Sequence, residues 1–119
     1  MTNRLFVYGT LRNGNLSRRL GFEHFMRRNV KTMPNFTLYV DRLPYMTYGK
    51  SAVTGDLVGV TKDELRLLDM YEGHPTHYTR KTITLSDGTR ADAYLYLHPM
   101  SLMAKEVEGG DFLAFLRDK

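Results

Sequence analysis

Glu72 is the residue whose type and position in this sequence most favour acid–base chemistry. It lies in the last turn of a helix predicted by the capping-box pattern Thr61-Lys62-Asp63-Glu64, in which a threonine is followed three residues later by a glutamate. Gly73 suits the left-handed position just after a helix, and the following Pro75 prevents its continuation. The sequence therefore places one carboxyl group at the carboxyl-terminal end of a short, well-delimited helix.

The helix end is an unfavourable place for an ionised carboxylate, because it carries partial negative charge. If Tyr71 and Tyr78 partly bury Glu72 as well, its pKa should rise toward neutrality. A carboxyl with such a pKa can both take and give a proton. The alternative is a solvated glutamate paired with Arg80 or Lys81.

A second candidate site lies where an apolar, β-branched segment at residues 4–8 meets Gly9. The segment predicts a central strand, since it is apolar on both faces. A glycine at its end allows the backbone N–H groups of Tyr8, Gly9, Thr10 and Leu11 to point into one concavity that binds a carboxylate or phosphate. An ordinary turn at the end of a strand is the alternative.

His74 and His77 have a spacing that could suggest a metal site. However, Pro75 lies between them and interrupts any helix, and the chain has no cysteine to complete a zinc site. We expect surface or edge histidines, with no metal or cofactor. The sequence shows no GxGxxG or P-loop pattern, nor a convincing Ser–His–Asp order.

The elements that position these residues predict an α+β fold. The patterns indicate strands at 4–8, 30–33, 36–40, 52–60, 78–85 and 90–97, a helix from 61 to about 71, a loop at 44–51 and a short apolar segment at 112–116. Residues 16–28 are ambiguous, with some features of a short helix. We expect a mixed or mostly antiparallel sheet that can curl into a small β-barrel flanked by short helices, in a single domain over residues 1–119.

Composition excludes several classes of protein. The 119 residues contain no cysteine, which rules out a disulfide framework and thiolate catalysis. No apolar run approaches the roughly 20 residues of a membrane span, so a cytoplasmic protein without membrane contact is expected.

Charge is unevenly distributed along the chain. Residues 1–40 hold seven Lys and Arg against one acidic residue, Glu23, while the net charge of the whole chain is +4. This basic first third could attract phosphate or another anion. A solvated positive face is the alternative.

An ordered set of short motifs runs through nearly the whole chain. They are Val7-Tyr8-Gly9-Thr10-Leu11-Arg12-Asn13-Gly14, Gly55-Asp56-Leu57, Leu68-Asp69-Met70-Tyr71-Glu72-Gly73, Tyr78-Thr79-Arg80, Ala93-Tyr94-Leu95-Tyr96 and Gly110-Asp111-Phe112. The order and spacing of these motifs resemble those of the gamma-glutamylcyclotransferase-like family, especially its small gamma-glutamylamine cyclotransferase branch. The sequence departs from the family pattern at Thr10, where serine is common, at Asp56, where glutamate is common, and at Phe112, where tryptophan is frequent. Residues 16–50 match least well and are expected to shape substrate choice.

The resemblance implies a small barrel with a cavity at one end and a cofactor-independent enzyme. Its expected partner is a small gamma-glutamyl amide, from which it would release 5-oxoproline and a free amine. In this interpretation Tyr8, Gly9, Thr10 and Leu11 hold the gamma-glutamyl group. Glu72 is the general acid/base, and Tyr8 and Tyr78 supply cavity walls and hydroxyl donors.

Two other functions stay open at this stage. One is a non-catalytic module on the same fold that binds a small molecule. The other is a nucleic-acid-associated protein that uses the basic first third, although no nucleic-acid-binding motif supports it and we expect no nucleic-acid partner. The leaving amine is also open: glutathione, a gamma-glutamyl-lysine isopeptide and a gamma-glutamylated metabolite all fit the motifs.

Overall fold

The computed structural model describes residues 3–12 and 25–118. The strands are β1 (Asn3–Val7), β2 (Phe25–Lys31), β3 (Phe36–Asp41), β4 (Leu43–Tyr48), β5 (Thr54–Val60), β6 (Thr79–Thr84), β7 (Arg90–Leu95) and β8 (Lys105–Glu106). The α-helices are α1 (Lys62–Glu72) and α2 (Phe112–Arg117), and one-turn 3-10 helices cover Thr10–Arg12 and Glu108–Gly110. Within the described ranges no helix combines the length and apolar character of a membrane span.

The strands form two sheets, and the predicted α+β class is confirmed. The larger sheet has the order β2-β5-β1-β7-β6, in which β1 and β7 are parallel and the other neighbours antiparallel. The smaller sheet has the antiparallel order β4-β3-β8. Just beyond the edge strands of the larger sheet, the Ser86 N–H donates to the Lys31 carbonyl (2.8 Å) and the Met33 N–H to the Thr84 carbonyl (3.1 Å). The larger sheet is thus curled, but over the described residues the sheets do not close into a complete barrel.

Strand β1 occupies the central position that its apolar sequence predicts. Phe6, 1% exposed, packs on one face in the cluster that contains Leu38 and Leu95. Leu5, fully buried, packs on the other face in a cluster with Leu68 of α1. Burial on both faces fixes the end of β1 close to α1, and this closeness creates the site described below.

Helix α1 begins and ends where local sequence predicts. The Thr61 hydroxyl accepts from the Glu64 N–H (3.1 Å), and the Glu64 carboxylate accepts from the Thr61 N–H (2.8 Å), completing the capping box. Gly73 adopts the left-handed conformation, with φ of 68°, that terminates the helix directly after Glu72.

The prediction of a loop at 44–51 was wrong, because β4 covers most of that segment. The proline and glycine content suggested a loop, yet β4 lies at the edge of its sheet, where Pro44 can pair with Val40 without breaking an interior ladder. The helical interpretation of 16–28 was also wrong for residues 25–28, which belong to β2. The rest of that segment up to residue 24 lies outside the described residues.

Candidate active site

A cavity of about 320 Å³ opens where the end of β1 meets the end of α1. Its walls come from the β1 end and the 3-10 turn after it, the start of β4, the end of α1 and β7. The lining residues are Phe6, Val7, Tyr8, Gly9, Thr10, Leu11, Leu43, Pro44, Tyr71, Glu72, His77, Tyr78 and Tyr94. Every site residue predicted from the sequence therefore lies on this one cavity, whose volume suits a small molecule.

Gly9 forms part of the cavity wall through its backbone alone. A Cβ atom at this position would lie 2.4 Å from Cγ of Pro44, so no larger residue fits against β4. The Arg12 N–H donates to the Gly9 carbonyl (3.0 Å) and closes the turn. No carbonyl in the described part of the chain accepts from the N–H groups of Gly9 and Thr10, which leaves both donors for a ligand.

The tyrosine hydroxyls of the cavity donate to the protein itself. Tyr8 donates to the Tyr94 carbonyl (2.5 Å), and Tyr78 donates to the Pro44 carbonyl (2.9 Å). The expectation that Tyr8 and Tyr78 serve as hydroxyl donors was therefore wrong. A tyrosine oxygen keeps acceptor lone pairs when its proton is engaged, so Tyr78 presents an acceptor instead, whereas the Tyr8 oxygen already accepts from the Met46 backbone N–H. Burial, together with the nearby Glu72, raises the pKa of both hydroxyls, which keeps them protonated.

Glu72 brings the only carboxyl group among the described lining residues. It is half-buried, and burial raises its pKa to about 7 from an ordinary value of 4.5. The alternative pairing with Arg80 or Lys81 is absent, since no ion pair joins Glu72 to any residue the structure describes. Glu72 can accordingly change its protonation state near neutral pH.

Arg80 instead holds the end of α1 onto the larger sheet. Its guanidinium donates to both carboxylate oxygens of Asp69 (2.9 and 3.1 Å) and to Asp92 of β7 (2.8 Å). The Tyr94 hydroxyl also donates to Asp69 (2.6 Å). Burial works to raise the pKa of Asp69, but these hydrogen bonds outweigh it and lower that pKa. Asp69 lies one turn before Glu72, so this cluster fixes the Glu72 backbone against the cavity.

The histidines take structural positions. His74 Nδ1 accepts from the Arg80 N–H (2.9 Å), while the exposed His77 ring packs edge-on against Tyr78, with ring centroids 4.9 Å apart. Across residues 3–12 and 25–118, no group of three or more histidine, aspartate or glutamate side chains is arranged to hold a metal ion.

Arg12 is the important residue that the sequence pattern did not single out. It is 2% exposed and donates to Asp56 (3.1 Å), Asp111 (2.9 Å) and Asn29 (2.9 Å). Asp56 is fully buried and also accepts from Arg28 (3.2 Å). The network ties the turn that forms the cavity wall to β2, β5 and the start of α2. For Arg12, the expectation of a solvated basic face was therefore wrong. Arg12 and Asp56 each lie within a family motif, but nothing in the sequence indicated that the two side chains meet.

The comparison with known families gives one decisive match. The sequence model described as gamma-glutamyl cyclotransferase, AIG2-like matches residues 5–114. This chain belongs to that family. The match covers every residue that lines the cavity.

Curated relatives and a solved structure agree with the assignment to the AIG2-like family. A Methanocaldococcus jannaschii protein named putative gamma-glutamylcyclotransferase is 35% identical over 114 residues, covering 91% of this chain and 93% of the relative. A Vibrio cholerae protein of the same name is 31% identical over 99 residues, covering 82% and 84%. The crystal structure of an AIG2-like protein from Mus musculus has a TM-score of 0.74 at 26% identity, covering 90% of this chain and 86% of that one.

The raised pKa of Glu72 makes the stability of this cyclotransferase-family protein depend on pH. The folded chain binds the Glu72 proton more tightly than the unfolded chain, so this contribution to stability is complete below pH 4.5 and is lost as pH rises through 7. At about 1.4 kcal/mol per pH unit, the loss is on the order of 3 kcal/mol. We expect Glu72→Gln to raise the free energy of unfolding by roughly 2–3 kcal/mol at pH 8 and by less than about 1 kcal/mol at pH 5.

Urea unfolding of both proteins across this pH range measures the difference. Glu106→Gln, which neutralises an exposed carboxylate on β8 outside the cavity, provides the matched control. A difference between Glu72→Gln and the parent that stays constant with pH would contradict the raised pKa.

Proposed function

We propose that this protein is a cyclotransferase that converts a gamma-glutamyl amide into 5-oxoproline and a free amine. The observation that carries the proposal is Glu72, one half-buried carboxyl with a pKa of about 7 on a cavity that is also lined by Gly9 and Thr10, whose N–H groups no described carbonyl engages, and by tyrosines. Family membership supports the same reaction. A gamma-glutamyl amide carries its own nucleophile, so the protein has to supply positioning and proton transfer rather than a covalent intermediate.

In the first step the α-amino nitrogen of the substrate attacks its side-chain carbonyl carbon. Glu72, ionised, takes a proton from the α-ammonium and frees the attacking lone pair. A carbon–nitrogen bond forms and closes a five-membered ring, and the carbonyl oxygen becomes an oxyanion. Holding the substrate folded accounts for several kcal/mol of the barrier, because the attack is intramolecular.

In the second step the tetrahedral centre collapses. The carbonyl re-forms, the bond to the original amide nitrogen breaks, and protonated Glu72 returns its proton to that leaving nitrogen. The ring nitrogen still carries one proton more than the lactam holds, and it gives that proton to the departed amine. The products are therefore 5-oxoproline and the protonated amine, with Glu72 ionised again. A carboxyl whose pKa lies near neutral pH serves both transfers well, since neither protonation state is strongly favoured.

The remaining polar groups suit the two ends of the substrate. The Gly9 and Thr10 N–H groups are matched to the α-carboxylate or to the developing oxyanion, which both need donors. The Tyr78 hydroxyl already donates its proton to a main-chain carbonyl, so its oxygen is matched to the α-ammonium, which needs acceptors.

The test is release of 5-oxoproline, followed by mass spectrometry, from gamma-glutamyl methylamide, gamma-glutamyl-lysine isopeptide and glutathione. We expect product from at least one of them and none in the absence of the protein. Thermal melting with each compound runs in parallel. A ligand-dependent rise in Tm without 5-oxoproline from any compound would contradict catalysis and favour a binding module instead.

A further inference from the structure

The cavity has a buried polar end and an exposed apolar end. Tyr8, Tyr78 and Tyr94 are 7%, 6% and 4% exposed, and they line the cavity together with Gly9, which is buried and whose N–H is not engaged by a described carbonyl. Toward solvent, Leu43 and Tyr71 are 47% and 57% exposed yet line the same cavity. With the exposed ring of His77, these residues form what we call the mouth, which is mainly apolar and is bordered by the exposed Thr10.

This asymmetry orients the substrate, given the function proposed above. The gamma-glutamyl group carries both an ammonium and a carboxylate, and each must find partners when it leaves water. The buried end offers such partners, whereas the mouth offers hydrocarbon and aromatic rings. The gamma-glutamyl group therefore occupies the buried end, and the leaving amine extends through the mouth.

Within residues 3–12 and 25–118, the cavity wall offers no lysine or arginine to a carboxylate on the leaving amine. Arg12 and Arg28 bind Asp56, and Arg27 binds Asp87. Arg42 precedes Leu43 in sequence but is not part of the cavity wall. A carboxylate at the mouth would thus meet no lysine or arginine of the described cavity wall and would share the cavity with the Glu72 carboxyl.

We propose that the leaving amine is apolar, an alkyl or arylalkyl amine whose chain packs against Leu43, Tyr71 and His77. Transfer of hydrocarbon from water to this mouth favours binding in proportion to the area buried. A carboxylate on the same chain loses hydration there without gaining an opposite charge from the described wall, and an ammonium at the end of the chain loses hydration against hydrocarbon and aromatic rings.

A matched series of gamma-glutamyl amides tests this inference. The amines are n-pentylamine, 1,5-diaminopentane and 5-aminopentanoic acid, which present a methyl, an ammonium and a carboxylate at nearly the same distance, with methylamine as the small reference. We expect kcat/KM for the pentylamide to exceed that for each charged amide and for the methylamide by about ten-fold or more.

Tyr71→Ser removes one ring from the mouth, and Met70→Ser is its control. Met70 is the neighbouring residue on α1, is 78% exposed and does not line the cavity. We expect Tyr71→Ser to shrink the ratio of kcat/KM between pentylamide and methylamide by about five-fold or more, and Met70→Ser to preserve that ratio.

The outcomes separate this inference from the proposed function. Equal or faster turnover of either charged amide, or a ratio unaffected by Tyr71→Ser, would overturn the apolar leaving group while leaving the cyclotransferase reaction in place. Absence of 5-oxoproline from all four amides would overturn the proposed reaction and this inference with it.

Discussion

Glu72→Gln is expected to lower the rate of 5-oxoproline release by about 10²- to 10⁴-fold, the usual contribution of a positioned acid–base group. Glutamine keeps the shape and hydrogen-bonding capacity of the side chain but can neither take the proton of the α-ammonium nor return one to the leaving nitrogen. Because Glu72 makes no ion pair with a described residue, its replacement leaves no charge without a partner. We expect the variant to fold and to bind gamma-glutamyl amides within a few-fold of the parent affinity.

The measurement compares kcat by detection of 5-oxoproline with Kd by calorimetry for the same amide. Glu106→Gln carries the same chemical change on an exposed carboxylate and should keep full activity. Near-normal turnover by Glu72→Gln would remove this residue from the catalytic role. Loss of turnover together with loss of binding would assign Glu72 to substrate affinity rather than to proton transfer.

Arg12→Met is expected to destabilise the protein by about 3–5 kcal/mol, the cost of removing one partner of a buried ion pair. Methionine fills much of the same volume, but Asp56 remains fully buried and, among the described residues, keeps only the Arg28 guanidinium as an ion-pair partner, at 3.2 Å. Asp111 and Asn29 lose their guanidinium donor as well. Since the Arg12 side chain also ties the turn after β1 to β2, β5 and the start of α2, the cavity wall should loosen in the same variant.

Arg27→Met provides the matched control for this prediction. Arg27 pairs with Asp87 on the surface, where the two side chains are 44% and 45% exposed, and such pairs contribute about 0–1 kcal/mol. Urea unfolding of both variants gives the two free energies. A loss in Arg12→Met no larger than that in Arg27→Met would show that the buried network contributes little to stability.

The sequence predicted those parts of the site that depend on neighbouring residues. Thr61, Glu64 and Gly73 act within three or four positions of the groups they cap, so the limits of α1 and the place of Glu72 at its end were readable before any fold was known. The apolar residues of β1 likewise predicted, without any knowledge of the fold, that this strand is buried on both faces. The resemblance to family motifs added the residues of the turn after β1 and Tyr78, which local patterns alone left ambiguous.

Misreadings arose where local composition and tertiary context disagree. Pro44 and the glycine after Tyr48 are typical of a loop, yet pairing with β3 makes the segment an edge strand that tolerates proline. Arg12 looked like one more charge in a basic region, yet its partner Asp56 is 44 residues away in the chain. Sequence alone gives no distance between such residues until the sheet order is known.

By itself, then, the sequence determined the α+β class, the capped helix that ends at Glu72 and the family to which the chain belongs. Only the tertiary structure decided which groups surround that carboxyl and which hydrogen-bond partners those groups have. In the fold, the hydroxyls of Tyr8 and Tyr78 donate to main-chain carbonyls, and Arg80 pairs with Asp69 rather than with Glu72. Glu72 is left half-buried, and its pKa is raised. The physical reason is the distance along the chain over which each effect acts. Capping and hydrophobic alternation act over a few residues, whereas burial and hydrogen-bond partners depend on contacts between distant segments. Tyr8 and Tyr94, for example, are 86 residues apart.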